Sequence, residues 1–411
     1  MSILTGQKKR IACIGGGAAG FFCALNIASA RSDVEVVILE KTRQPLSKIK
    51  ISGGGRCNVT HHCFDPQALS KNYPRGHDFL KKAFYSFQPK DMIAWLEERG
   101  VTVKVESDGR MFPISNTSST IIECFLKEAE ALGVKILLES DVTQIQPHED
   151  GLLVHIRDRD PLQCDKVLLA TGGNHRSYHL AEGVGHTPVS AVPSLFTFNI
   201  KDDRLDGISG VSVPLARVSI DAIDVEALGP LLVTHWGLSG PAILRLSAWG
   251  ARDLAEKGYE AKLKVSWVAE KKDVEVKEAL IRQRSSSGSL KVDQTPLFSL
   301  PKSLWKKLTV HAGIPQNRVF GQMTKKEMQS LYEVLTSSIF HVIGKSTNKD
   351  EFVTAGGIPL SEIDLKTMQS KICPHLFFAG EVIDVDGITG GFNFQNAWTT
   401  AWIAARTMQS I

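Results

Sequence analysis

Gly15-x-Gly17-x-x-Gly20 lies between an apolar run, Arg10–Gly15, and an Ala/Phe/Leu-rich stretch from about Ala18 to Ser29. In such a lead-in the first glycine permits a tight turn, the second lets backbone approach a pyrophosphate, and the third lets helix and strand pack closely. The helix N-terminus, here Ala18 and Ala19, then offers unpaired N–H groups and its positive dipole end to the phosphates. Glu40 closes the next apolar run, 20 residues past Gly20. A carboxylate there can accept from ribose hydroxyls and disfavours a 2′-phosphate. The plainer alternative is a tight turn and nothing more. A strand before, a helix after and an acid at the right distance favour a dinucleotide.

This motif does not choose between FAD and NAD. A second cluster near the other end of the chain does: Gly380-Glu381, then Gly387-Ile-Thr-Gly390-Gly391-Phe392-Asn393-Phe394-Gln395, leading into a helix from about Phe394 to Met408. Reduction of an isoalloxazine ring places negative charge on its N1–C2=O side. A helix N-terminus with Asn393 and Gln395 nearby would stabilise that charge. Read alone, the segment is an ordinary capped helix; with the first motif it favours FAD.

A third cluster is Ser52-Gly53-Gly54-Gly55-Arg56-Cys57-Asn58. Consecutive glycines let backbone approach a flat ligand, and Arg56 offers a rigid donor fork to a phosphate or a flavin carbonyl. A flexible surface turn is the alternative. Cys57 has no cysteine spaced for an active disulfide and reads as a structural thiol. His61-His62-Cys63 is rich in ligand atoms, but neighbouring side chains diverge and no Glu or His stands at i+4, so no metal site is assigned. No residue stands out as a general base, and catalytic residues are not assigned. Arg56 and Arg110 are candidates for positioning an anionic group.

The elements that must hold these residues are legible in part. Arg10–Gly15, the helix after it and the strand Val34–Leu39 form a βαβ unit of about 30 residues. Helices are expected at Pro89–Arg99 and Thr120–Leu132, the latter closed by Gly133. Strands are expected at Val134–Leu138, Lys166–Ala170 and Leu376–Ala379. From about Val192 the pattern changes. Ala216–Ile220 and Ala261–Val265 alternate as antiparallel strands do, and Ser285–Ser289 reads as a mobile loop. Helices are expected again near Ser303–Ala312 and Thr324–Ser337, the second with a capping box from Thr324 and Glu327. The expected division is 1–191 and 345–411 as one split cofactor domain, interrupted by 192–344.

The chain has 411 residues, 43% hydrophobic and 22% charged, which excludes a disordered or collagen-like polymer. A balance of 48 basic against 44 acidic residues, net +4, neither demands nor forbids a nucleic-acid partner. Lys302, Lys306, Lys307, Lys325 and Lys326 make the helical part of the insert basic. They read first as a solvated face and, more sharply, as a dock for an acidic ligand or RNA. Seven cysteines without a CxxC pair suit a reducing compartment. Met1–Arg10 lacks a signal-peptide apolar core and no run reaches the ~20 residues a membrane span requires, so the expectation is a cytoplasmic protein with no membrane partner.

Several long stretches carry a family resemblance. They are IGGGAAG (14–20), Glu40-Lys41, Lys48 ahead of ISGGGRCNVT (51–60), GRMFPIS (109–115), LLATGG (168–173), THWGLSGPAILRLS (234–247), TAGGIPLSEIDLKTMQSK (354–371) and LFFAGEVIDVDGITGGFNFQNAW (376–398). Over nearly its whole length the chain resembles the BaiN/RdsA-like NAD(P)/FAD-dependent oxidoreductases, also called the aminoacetone oxidase family. The resemblance implies an α/β fold: a glutathione-reductase-type, Rossmann-like FAD-binding domain with an inserted β-rich domain carrying a helical subdomain. It implies that Gly15, Gly17, Ala18, Ala19 and Gly20 meet the pyrophosphate, with Glu40 at the ribose and Lys41 beside it. Lys48, Gly55, Arg56, Cys57 and Asn58 would lie near pyrophosphate and flavin, and Val142 would offer backbone to the adenine. Ala170, Thr171 and Gly172 would line the cofactor, while Gly380, Glu381, Asp384, Gly391, Phe392 and Asn393 would surround the ribityl chain and ring. One departure is a shortened polar segment, Asn174–Tyr178, ahead of Gly185-His186-Thr187. No second strand–GxGxxG–helix unit is present in the sequence, so a nicotinamide, NADH or NADPH, would visit transiently.

Three functions stand as alternatives. The first is an FAD-dependent oxidoreductase exchanging a hydride between flavin and a small organic substrate, with NAD(P)H or oxygen as second partner. The second is a flavoprotein acting on RNA through the basic insert, as in tRNA modification. The third is a non-enzymatic FAD-binding protein. Flavin uptake, salt-dependent RNA binding and flavin reduction by NAD(P)H discriminate among them.

Overall fold

In the computed structural model, which describes residues 8–173, 175–346 and 353–410, apolar runs from both ends of the chain meet in one sheet. The leader Met1–Arg10 and the polar segment Asn174–Tyr178 lie partly outside the described residues. The chain divides into two compact units, Met1–Pro193 with Lys349–Ile411, and Ser194–Asn348.

In the first unit, strand β1 (Arg10–Ile14) leads into helix α1 (Ala18–Ala30), then strand β2 (Glu35–Leu39) and helix α2 (Ser47–Gly55). The sheet runs Ile363–Asp364, Gln369–Ser370, Leu376–Phe378, Lys166–Leu169, β1, β2, Lys135–Leu137. Its last five strands are parallel, which explains why β1 and β2 are apolar almost throughout: such strands are covered on both faces. Register aligns the strand ends. Ile14 pairs with both Leu39 and Leu169, and Leu169 with Phe378. The residues just beyond, Gly15, Glu40, Ala170 and Ala379, therefore emerge in one row at the carboxyl ends of the strands, where ligands of open α/β sheets sit.

Helix α1 packs on the C-terminal helix, Phe392–Met408, against the sheet. An aromatic cluster backs them: Phe22 lies 5.0 Å from Trp95 and 5.4 Å from Trp398, and Trp95 5.4 Å from Phe125. Two small antiparallel sheets complete the unit. One joins strand β3 (Thr60–His61) to Arg110–Pro113 and Val103–Val105; the other is the meander Val142–His148, Gly151–Ile156, Leu162–Cys164. Neither is legible from periodicity, because short strands with mixed burial give little alternation.

The second unit is built on a closed six-stranded barrel: Thr197–Ile200, Gly237–Ser239, Val225–Val233, Ser212–Ile220, Glu260–Ser266 and Ser338–Ser346. Inward residues such as Val218, Leu231, Leu263 and Phe340 alternate with exposed ones and join a core with Trp267 and Trp305. Helices Asp273–Ser286, Lys302–His311 and Lys325–Ser337 extend that core, the last with the Thr324–Glu327 capping box formed in both directions. The loop expected at Ser285–Ser289 is corrected at its start. Buried Val276 and Leu280 hold the helix, and Ser285 and Ser286 continue it by donating their hydroxyls to carbonyls one turn back, those of Ile281 and Arg282. Among the described residues no helix is long and apolar enough to cross a membrane.

Candidate functional site

The row of strand ends creates its own steric demands. A Cβ on Gly20 would lie 1.9 Å from the Gly15 carbonyl oxygen, and one on Gly15 would lie 2.4 Å from that of Ala170. Both positions therefore accept hydrogen alone, and Gly15 also sits at φ +110°, outside ordinary L-residue space. Gly17 differs: nothing lies within 4 Å of an added Cβ. It stands at the start of α1, where no side chain caps the helix and no acid sits in the first turn. The N–H groups of this turn, from Ala18 and Ala19, have no acceptor within the helix, and the space beside Gly17 is open. The arrangement fits an anion such as a pyrophosphate.

Glu40 closes one side. Its carboxylate accepts from the Gly16 N–H at 2.8 Å and from the backbone and hydroxyl of Thr42 at 2.7 and 2.8 Å, so its oxygens are aimed along the loop. Lys41 pairs with Asp141 at 3.0 Å, next to Val142 at the start of the meander. Burial pushes the Asp141 carboxyl up, and hydrogen bonds from Lys41 and Arg157 outweigh it, leaving the group below the usual carboxylate range.

On the other side Ala170 is tied to Ile14 (N–H to O, 2.8 Å), and Thr171 presents a buried hydroxyl with no partner among the described residues. An orphaned buried hydroxyl is costly, about 1–3 kcal/mol, unless a ligand supplies its partner. Gly172 (φ +74°) faces Lys48 and Glu381, which pair at 2.5 Å. Glu381 also accepts from the Thr354 N–H at 3.0 Å. Gly380 (φ +79°) donates its N–H to Thr400 and leaves 3.0 Å between an added Cβ and the Ala19 methyl, which brings the N- and C-terminal motifs edge to edge. Asp384 lies four residues further on, its N–H donated to Ile358 at 2.9 Å.

The Gly53–Gly55 cluster is a kink within α2. Ser52 is extended, Gly53 and Gly54 lie at φ +56° and +69°, and Gly55 at +81°. Arg56 stacks 3.9 Å above Phe112 and donates to Glu106 at 2.6 Å; Arg110 donates to the same carboxylate at 3.2 Å and to Asp108 at 2.7 Å. Cys57 is fully buried, and burial pushes its thiol up to about 12 against the pull of Ser52, so it is no nucleophile at neutral pH. The Asn58 side chain accepts from the Met111 N–H at 3.3 Å.

At the C-terminal helix, Asn393 closes the preceding loop by bonding both the N–H and the carbonyl of Gly387 at 2.8 Å. Phe392 stacks on His61, and its carbonyl accepts from the buried Tyr73 hydroxyl at 2.7 Å. Gln395 does not flank the helix N-terminus as expected. It is fully buried, accepts from Thr60 at 2.6 Å and donates to Thr399 at 3.0 Å, because the helix rotation turns it into the core. Sequence reading also misses the buried Arg75–Asp386 ion pair behind this loop. Its partners are 311 residues apart, and no local signal links them. Among the described residues, no group of three His, Cys, Asp or Glu could hold a metal.

The profile described as HI0933-like protein Rossmann domain matches residues 9–407. The chain belongs to the HI0933-like family. Its relatives include proteins named ribosomal RNA dihydrouridine synthase. That of Haemophilus influenzae is 32% identical over 95% of this chain and 96% of its own. That of Escherichia coli is 29% identical over 96% of each. A 3-dehydro-bile acid delta(4,6)-reductase from Clostridium scindens is 26% identical over 97% of this chain and 98% of its own. The HI0933-like chain is thereby an enzyme of the FAD-dependent oxidoreductase class, with a Rossmann-type FAD-binding domain. In fold it is similar to a 3-ketosteroid-delta4-(5alpha)-dehydrogenase from Rhodococcus jostii, with TM-score 0.51, 12% identity and 98% of each chain covered.

Proposed function

We propose that the first unit binds FAD along the row of strand ends and uses it to move a hydride between a reduced partner and a conjugated double bond of an organic substrate. In this reading the unit is a glutathione-reductase-type FAD domain, split as 1–191 and 345–411 and interrupted by the second unit as a β-rich and helical insert. The observation that carries it is the pairing of an uncapped, unobstructed helix start at Gly17 with the orphaned Thr171 hydroxyl, flanked by Glu40 and Gly380. The names of the relatives support the chemistry: making dihydrouridine and reducing delta(4,6) bonds both add hydrogen across a ring double bond.

A bound FAD supplies a two-electron carrier able to accept and donate hydride. The residues around it do the rest. The first turn of α1 holds phosphate charge, Glu40 holds ribose hydroxyls, and Lys48 with Glu381 borders the ribityl side. The N-terminus of the C-terminal helix holds charge that accumulates on reduction. NADH or NADPH, as a transient partner, returns the flavin to its reduced form when the double bond is reduced; oxygen serves only the opposite direction, taking the electrons when the substrate is dehydrogenated.

The test is flavin uptake by apoprotein followed by anaerobic mixing with NADH and NADPH. Yellow protein whose colour bleaches with either nicotinamide and returns with a conjugated enone supports the reading. Colourless protein after FAD soaking ends it.

A second reading, RNA as substrate, is favoured by the two relatives named for ribosomal RNA and by the exposure of Lys302, Lys306, Lys325 and Lys326. Lys307 is instead tied to the Asp203 carbonyl at 3.0 Å. Alanine at the four exposed lysines should then weaken RNA binding and flatten its salt dependence by about 0.7–0.9 in log–log slope per lost phosphate contact. Absence of RNA binding at low salt removes this reading.

A further inference from the structure

His61 stands outside the residues assigned above to phosphate, ribose and ribityl, and it touches the loop that leads into the C-terminal helix. Its Nδ1 lies 3.0 Å from the carbonyl oxygen of Gly390. A carbonyl only accepts, so Nδ1 carries the proton and donates. The imidazole stacks on Phe392 with centroids 4.6 Å apart and planes 28° apart. On its far side Gly109, at φ +84°, would place a Cβ 2.5 Å from Nε2, so the ring fits only beside a glycine.

The residue before it acts on the same loop. A Cβ on Gly391 would stand 2.5 Å from the Thr60 carbonyl oxygen. One dipeptide, Thr60-His61, therefore holds three successive residues. His61 anchors Gly390 by a hydrogen bond, Thr60 presses its backbone on Gly391, and His61 clamps Phe392, the first residue of the C-terminal helix. Gly390 and Gly391 lie at φ +132° and +93°, where glycine backbone is soft and needs external support to keep one conformation.

We infer that His61 is a positioning residue: through Gly390 and Phe392 it sets how the N-terminus of the C-terminal helix meets the flavin, and so how strongly the protein prefers reduced over oxidised flavin. The inference rests on the FAD reading proposed for the first unit. The hydrogen bond to Gly390 and the stacking on Phe392 separate chemically. Asn at 61 keeps an N–H donor of similar reach and removes the stacked ring; Phe keeps the ring and removes the donor.

The experiment measures FAD affinity of apoprotein, thermal midpoint, and flavin midpoint potential by dye equilibration for the wild type, H61A, H61F and H61N. We expect H61A and H61F to lose about tenfold of the preference for reduced flavin, a fall of about 30 mV for a two-electron couple. H61N should retain most of the wild-type potential, and all four proteins should still bind FAD. Potentials equal to wild type in H61A and H61F, with FAD bound, overturn the inference even if their thermal midpoints drop, since that pattern is merely structural support. Wild-type protein that takes up no FAD overturns the cofactor reading itself, a distinguishable result.

Discussion

The two glycine-led helices of the first unit solve different problems. At α1 the lead-in is self-contained: Gly15 and Gly20 are fitted by backbone five residues away or by the neighbouring strand, and the helix start at Gly17 is left uncapped and unobstructed. At the C-terminal helix the lead-in is held by distant side chains: Tyr73 on Phe392, His61 on Gly390, Arg75 on Asp386, Thr60 on Gln395. A phosphate asks only for N–H groups and space. A ring whose charge changes asks for donors kept at one angle, and two soft glycines do not keep an angle unaided.

That contrast can be broken from either end. The largest effect is expected at Asp386, whose side chain is fully buried against Arg75. D386A should cost roughly 3–5 kcal/mol in urea unfolding, since it removes a fully buried carboxylate from a largely buried guanidinium. At α1, G20A forces a methyl against the Gly15 carbonyl at 1.9 Å. It should cost about 3 kcal/mol and abolish FAD binding. G17A sharpens the comparison, because nothing within 4 Å obstructs its methyl in the protein. Stability should hold while FAD affinity falls about tenfold, or ~1.4 kcal/mol, as the methyl enters the phosphate space. Unchanged affinity in G17A would detach this lead-in from the cofactor.

The smallest effect concerns Cys57, between the two helices in sequence. Its thiol, raised from 9.0 to about 12, should resist iodoacetamide at mildly alkaline pH while the partly exposed Cys63 reacts, as peptide mass spectrometry would show. Because the folded thiol keeps a proton that the unfolded chain sheds above about pH 9, this group subtracts stability as pH rises from there toward 12.

Much of the α1 lead-in is legible in the sequence. Its glycines answer to contacts a few residues away, and strand, turn and helix are each encoded locally. The kink at Gly53–Gly55 is legible as a site of unusual backbone but not as an interruption of a helix. Gln395 is misread because sequence places it two residues from Asn393, whereas helix geometry turns the two side chains by about 200°, one to the loop and one to the core. Ser285 is misread because serine is a loop former until a buried face one turn earlier carries the helix through it.

The sequence by itself determined where backbone must lack a Cβ, which acid ends β2, and which runs are apolar on both faces. These properties come from short-range sterics and periodicity. Only the tertiary structure decided that Ile14, Leu39, Leu169 and Phe378 share a register, that Thr171 is buried without a partner among the described residues, and that His61 meets Gly390 across 329 residues. Such pairings are selected by the packing of whole elements, and no local signal in the chain encodes which distant residue will fill a given space.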